Sequence, residues 1–189
     1  MASTTPTSND PNAVYSLGHN ASESQRLQRQ ADELFDQSAA LVDRTALGPG
    51  GSCIDVGCGP RGILDLLAQR VGPEGRVVGV DADPDHVAMA TQMAADRNLD
   101  WVSVVQDDAR HTSLPSSSFD VVHGRTILIT VPEPLELVLE MARLAKPGGW
   151  VIGLEPDPEP SICAHLDNPD VIVMPGVNFL VSGRKPEGG

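Results

Sequence analysis

From Ser52 to Glu155 the chain alternates short runs of Val and Ile with longer stretches of helical spacing. No other feature constrains its fold as tightly. Ser52–Val56, Arg76–Asp81, Trp101–Gln106, Phe119–Gly124 and Trp150–Glu155 are strand-sized and apolar, without the in–out alternation of a half-wet sheet. Between them, Ile63–Val71, Pro84–Asn98 and Pro134–Lys146 carry helical patterns, the second and third opening on Pro and the last closed by Pro147-Gly148-Gly149. Strands that are apolar on both faces must be covered on both faces. The pattern predicts a doubly wound α/β fold with a mainly parallel, Rossmann-like sheet. Right-handed crossovers then place a ligand crevice at the carboxyl ends of the strands.

Four segments follow from this pattern. Residues 1–21, rich in Ser, Thr, Pro and Asn, read as a disordered tail or lid segment. Residues 22–47 read as an N-terminal lid helix, with Leu27, Ala31, Leu34, Phe35, Leu41 and Val42 at helical spacing and Ser22 with Gln25 as a capping box. Residues 48–160 form the α/β core. Residues 161–189 read as a shortened C-terminal segment in which Val171–Met174 and Phe179–Ser182 pair as a β-hairpin.

Charge and composition exclude several functions. Twenty-six acidic residues against 13 basic give a net charge of −13, which repels phosphate backbones and anionic membranes. Nucleic acid and membrane are therefore not expected partners. There is no apolar run of membrane-spanning length and no signal-peptide pattern. Cys53, Cys58 and Cys163 are odd in number and form no Cys-x-x-Cys motif, so reduced thiols and a cytoplasmic location are expected. Five scattered histidines give no metal-ligand spacing, and no metal is expected.

The unusual residues follow the strands. Gly57, Cys58, Gly59 and Gly62 come directly after the first, where glycine permits a tight turn and a close ligand approach. Such a pattern also serves dinucleotides. Asp81, followed by Ala82, ends the second strand, where a carboxylate can accept from both hydroxyls of a ribose. Asp83 is the better candidate for capping the next helix. Asp55 lies inside the first strand facing the glycine turn, where it would repel a pyrophosphate and suit an ammonium group. Asp108-Ala109, after the third strand, offers an acceptor for an adenine amino group and a backbone donor for a ring nitrogen. An amine, a ribose and an adenine without phosphate together describe S-adenosylmethionine.

The run Cys53-Ile54-Asp55-Val56-Gly57-Cys58-Gly59-Pro60-Arg61-Gly62 resembles the first motif of class I S-adenosylmethionine-dependent methyltransferases. Val78–Asp81, Gln106–Ala109, Leu114-Pro115 with Phe119–Val122, and Leu144–Gly149 resemble their later motifs in order, over roughly residues 50–156. Tyr15–His19 with Arg26, Leu27 and Gln30 is similar to the lid of small-molecule methyltransferases of secondary metabolism. The resemblance implies S-adenosylmethionine as cofactor and methyl transfer to a small organic acceptor. It implies that Asp55 and Gly57–Gly59 contact the methionine end, Asp81 the ribose, Asp108 and Ala109 the adenine, and the backbone around Gly124 and Arg125 the ammonium group. Arg61 departs from the commoner small residue, either pointing outward or meeting the ligand carboxylate. The expected base for an acceptor proton is His123, with His111, Tyr15 and His19 as alternatives. Arg125 is open to an anionic acceptor or an ion pair. Glu133, Glu136 and Glu140 read as the solvated face of a helix. The short C-terminal segment leaves a homo-oligomer or a partner chain open. Two other functions share the pattern: an NAD-type oxidoreductase, against which Asp55 and Asp108-Ala109 speak, and a non-catalytic S-adenosylmethionine-binding module.

Overall fold

The computed structural model describes residue 29 and residues 31–156 and 178–186. The elements are α1 (Phe35–Val42), β1 (Ser52–Val56), α2 (Leu64–Val71), β2 (Arg76–Asp81), α3 (Pro84–Asp96), β3 (Val102–Gln106), β4 (Phe119–Arg125), α4 (Pro134–Leu144), β5 (Ala145–Pro156) and β6 (Asn178–Arg184). They form one six-stranded sheet in the order β3-β2-β1-β4-β5-β6. The first five strands are parallel, and β6 joins β5 antiparallel. The strand order reverses between β1 and β4, the point at whose carboxyl ends topology predicts a ligand crevice.

The apolar strands are covered on both sides, as their composition requires. On one face Cys53, Val77, Val121, Ile152 and Leu154 pack with Leu41 and Val42 of α1, Leu64, Leu67 and Val71 of α2, and Ala90 of α3. On the other, Ile54, Val56, Val78, Val80 and Val122 pack with Leu137, Met141 and Leu144 of α4. Strand β3, at the edge, has no fully buried residue.

Local chemistry sets the element ends. Asp83 caps α3, its side chain accepting from the Asp85 amide at 2.8 Å, and Pro84 follows in the first turn. At the other end Asn98 takes a left-handed φ of 54°. The Asn98 and Leu99 amides bond back to Ala95 and Ala94, the paired closure of a Schellman motif.

The structure corrects several sequence boundaries. The N-terminal helix ends at Val42 rather than Ala46, because the Thr45 hydroxyl donates to the Val42 carbonyl at 2.7 Å and turns the chain. Leu34 breaks it from a short helical stretch over residues 31–33. The Ser22–Gln25 capping box and the Tyr15–His19 lid segment lie outside the described residues. Helix α4 stops at Leu144, and β5 already starts at Ala145, two residues before Pro147, which disfavours helix in the residue before it. Strand β6 lies along β5, and Val171–Met174, its expected hairpin partner, lies outside the described residues.

Glu140 also departs from its expectation. It is buried rather than solvated, accepting from the Thr112 amide and hydroxyl at 2.9 and 2.6 Å and from Arg143. The polar loop after β3 folds back onto α4, and Glu140 satisfies its backbone. Glu133 and Glu136 meet Arg110 and His111 from the same loop. Among the described residues no helix is long and apolar enough to cross a membrane.

Asn98 gives a direct check on the α3 terminus. Asn98→Val should lower stability by roughly 1–2 kcal/mol, because a β-branched residue is strained at this φ, whereas Asn98→Gly should be neutral or stabilising. Urea denaturation of the two variants distinguishes these outcomes.

Candidate functional site

The site begins where β1 ends. Gly57, Gly59 and Gly62 all adopt left-handed φ values of 55–68°. At two of them a side chain would also force its neighbours to move: a Cβ on Gly57 would stand 2.2 Å from Ile127 Cδ1, and one on Gly62 would stand 2.2 Å from Asp55 Oδ2 and 2.7 Å from the Cys58 carbonyl oxygen. Around Gly59 there is nothing within 4 Å, so the loop is open on that side. The loop is fastened to β2 by the Cys58 amide on the Val80 carbonyl at 2.9 Å. The Gly59 amide donates to Asp81 Oδ2 at 2.7 Å.

Asp55 anchors the loop from beneath. It is 2% exposed. One carboxylate oxygen accepts from the Ile63 amide at 3.0 Å, and the other meets His123 Nδ1 at 2.7 Å. His123 lies beside Asp55 in the β1–β4 register and has no solvent-exposed surface. Its Nε2 has no hydrogen-bond partner among the described residues. The histidine expected as a base thus directs its polar chemistry at Asp55, because both residues emerge on the same covered face of adjacent strands.

Cys58 is buried, its thiol over Gly79, where a Cβ would come within 3.0 Å of the sulfur. Burial, followed by the charges of Asp55 and Asp81, raises the thiol well above its ordinary range, so it is an inert packing group. Arg61 stands between Asp32 at 2.7 Å and Asp65 at 3.1 Å, tying the glycine loop to the helical stretch before α1.

The second and third acids follow along the same edge. Asp81 Oδ1 accepts from the Asp83 amide at 2.9 Å, with His86 Nδ1 at 3.4 Å. Burial opposes a charge on His86, but Asp81, with Asp83 and Asp85, outweighs it and raises the imidazole pKa. Ala82 is exposed at the rim. The Asp107 amide bonds the Asp81 carbonyl, carrying the β2–β3 pairing past the end of the sheet. There Asp108 accepts from the Arg110 amide, Nε and Nη2 at 2.9, 3.1 and 2.7 Å. These hydrogen bonds hold its carboxyl below the usual range. Ala109 is buried beside it.

On the other side of β1, Gly124 pairs with Val56. Arg125 sends Nη1 to Ser38 Oγ of α1 at 3.3 Å, and desolvation lowers its pKa. The structure therefore brings the glycine turn, Asp55, His123, Asp81 and Gly124 around the ends of β1, β2 and β4. Asp108 and Ala109 stand one strand further out, with Asp108 held by Arg110.

From sequence, Glu155 reads as the start of a stiff, extended or cation-binding run, Glu155–Pro160, and not as part of the site. It stands next to last in β5, much as Asp81 ends β2, and that parallel was the signal for it. It is 2% exposed, and its Oε1 accepts from the Ile127 and Leu128 amides at 3.0 Å each. Burial, opposed by backbone amides, pushes its carboxyl up to about 7. Among the described residues no cluster of three or more His, Cys, Asp or Glu is arranged for a metal.

The architecture is that of the class I S-adenosylmethionine-dependent methyltransferases. The chain superposes on a solved S-adenosylmethionine-dependent methyltransferase from Aquifex aeolicus with a TM-score of 0.73 at 22% identity, covering 88% of this chain and 99% of that one. A methyltransferase domain model matches residues 54–153, more than half of the chain, and the chain belongs to that family. It is similar to nocamycin O-methyltransferase of Saccharothrix syringae, 37% identical over 122 residues, covering 65% of this chain and 44% of the relative. It is also similar to demethylmenaquinone methyltransferase of Geobacillus stearothermophilus, 35% identical over 115 residues, covering 61% and 49%. The chain thus spans less than half the length of these two relatives in the matched region.

Two outcomes test the site's construction. Gly62→Ala should cost roughly 2 kcal/mol or more, since it combines a disfavoured left-handed φ with displacement of Asp55. Denaturant unfolding measures this, and an unchanged midpoint would show that the turn does not depend on glycine there. The second concerns Glu155, whose folded-state pKa of about 7 lies above the ordinary 4.5. Its contribution to stability is complete below about pH 4.5 and is lost as pH rises through about 7, on the order of 3 kcal/mol in all. The thermal midpoint of the wild type should therefore fall more steeply between about pH 5 and pH 8 than that of Glu155→Gln.

Proposed function

We propose that this chain binds S-adenosylmethionine and transfers its methyl group to a small organic acceptor. The observation that carries the reading is the hydrogen bond from the Gly59 amide to Asp81, which joins the open glycine turn of β1 to the acid of β2. It puts a backbone that admits close approach next to a carboxylate suited to a diol, while Arg61, the basic residue of the loop, is engaged by Asp32 and Asp65. The residues fit a cationic nucleoside for the same reason: the turn is open only at Gly59, and the carboxylates around it are Asp55 beneath and Asp81 at the rim. The relatives' names support the same class of chemistry.

In this reading Asp81 and the exposed Ala82 hold the ribose, and Asp108 with Ala109 holds the adenine once Arg110 yields some of its contacts. The turn Gly57–Gly59 and the backbone at Gly124 and Arg125 hold the methionine end, with Asp55 supplying negative potential from below. The bound cofactor supplies an electrophilic methyl on a good leaving group. The protein's task is then to hold the acceptor close, aligned and dry. Exposed Ile129, in the segment leaving β4 at this edge, offers apolar surface for an organic acceptor. His123 acts through Asp55 as a positioning residue.

Thermal-shift titration should show stabilisation by S-adenosylhomocysteine and none by NAD. Asp81→Ala should weaken S-adenosylhomocysteine binding by roughly 1–3 kcal/mol, the scale of removing a buried polar partner. Calorimetry giving unchanged affinity would remove Asp81 from the site. Turnover across an acceptor panel separates an enzyme from a binding module.

A further inference from the structure

Ile127 sits at the point where the sheet's strand order reverses. Its side chain occupies the space that a Cβ would need on Gly57, with Cδ1 2.2 Å from that position, and crowds that position on Gly124, with Cγ2 3.1 Å away. Gly57 follows the last residue of β1, and Gly124 is the β4 partner of that last residue. Ile127 is therefore a wedge between the two strand ends that border the crevice, and it is 7% exposed.

The backbone of the wedge is fixed in both directions. Its carbonyl accepts from the Thr130 amide at 2.9 Å, the Val131 amide at 3.2 Å and the Thr130 hydroxyl at 2.8 Å. Its amide donates to Glu155 Oε1, which also takes the Leu128 amide. The residue before it, Thr126, is at φ 51° and bonds the Leu154 carbonyl, so the chain turns sharply off β4 and depends on an acceptor to receive the next two amides. Glu155 is that acceptor. It reaches from the tip of β5 while its second oxygen, Oε2, stays buried without a hydrogen-bond partner among the described residues. A buried carboxylate with one idle oxygen is an expensive way to cap a turn. The expense is explained if the turn must hold its side chain to a fixed position.

We propose that Glu155 is a positioning residue for the cofactor site: by holding the Ile127 amide it sets the Ile127 side chain against Gly57 and Gly124, and so fixes the shape of the glycine turn. This rests on the reading of that turn as the S-adenosylmethionine site.

The test is calorimetry of the full chain with S-adenosylhomocysteine. Glu155→Leu and Ile127→Ala should each weaken binding about tenfold, and the double variant by about the same factor rather than about a hundredfold, because both break one linkage. Glu155→Gln keeps an accepting oxygen and should stay within about threefold of wild type. Wild-type affinity in a folded Glu155→Leu, or effects that multiply, would overturn the proposal. Should Glu155→Leu not fold, Ile127→Val takes its place, with about threefold weaker binding expected and unchanged binding counting against the wedge. If the wild type itself fails to bind, the functional reading falls. The wedge is then judged by amide hydrogen exchange at Cys58 and Gly59, which should speed up in Ile127→Ala and stay protected in Glu155→Gln. Unchanged exchange in Ile127→Ala would overturn it.

Discussion

The Asp55 carboxylate beneath the glycine turn is the contact on which the rest of the site depends. It accepts from the first amide after the turn and from His123 on the neighbouring strand. A buried carboxylate costs least when both its oxygens are satisfied, and these two partners satisfy one each. The arrangement binds β1, β4 and the start of α2 into one unit. It also explains the demand for glycine at position 62, where any side chain would collide with the carboxylate. With its floor fixed in this way, the turn can stay open on its outer side at Gly59.

Acids at successive strand tips carry different loads in this fold. Asp55 holds a turn, Asp81 holds the turn's far side and the next helix entry, Asp108 is neutralised by Arg110, and Glu155 holds the segment after β4. All four accept backbone amides at the edge where parallel strands leave unpaired donors. That edge needs acceptors whether or not a ligand is bound. With Asp108 paired and Glu155 raised to about 7, Asp55 and Asp81 are the acids that leave this edge negative, in a chain of net charge −13.

The amino ends of the strands are tied by different means. Asp120 takes the Ser52 amide and hydroxyl together with the Lys146 ammonium, locking β1, β4 and β5 in register. Arg143 and Glu140 hold the loop before β4 onto α4. These contacts keep the sheet's start rigid.

Much of this molecule is legible in its residues alone. Strand runs of Val and Ile set the parallel sheet, because such segments demand cover on both faces. The spacing of Gly57, Gly59 and Gly62 set the turn, because few other residues adopt those φ values. Asp83 announced its cap by preceding Pro84. Pairings between distant residues were not legible. That His123 would spend its Nδ1 on Asp55, that Glu140 would be buried under a returning loop, and that Glu155 would hold Ile127 against two glycines all follow from side chains meeting across strands and helices. Local sequence determines which backbone a segment can adopt. Which polar groups are left facing each other in the interior was decided only when the crossovers closed and water was removed.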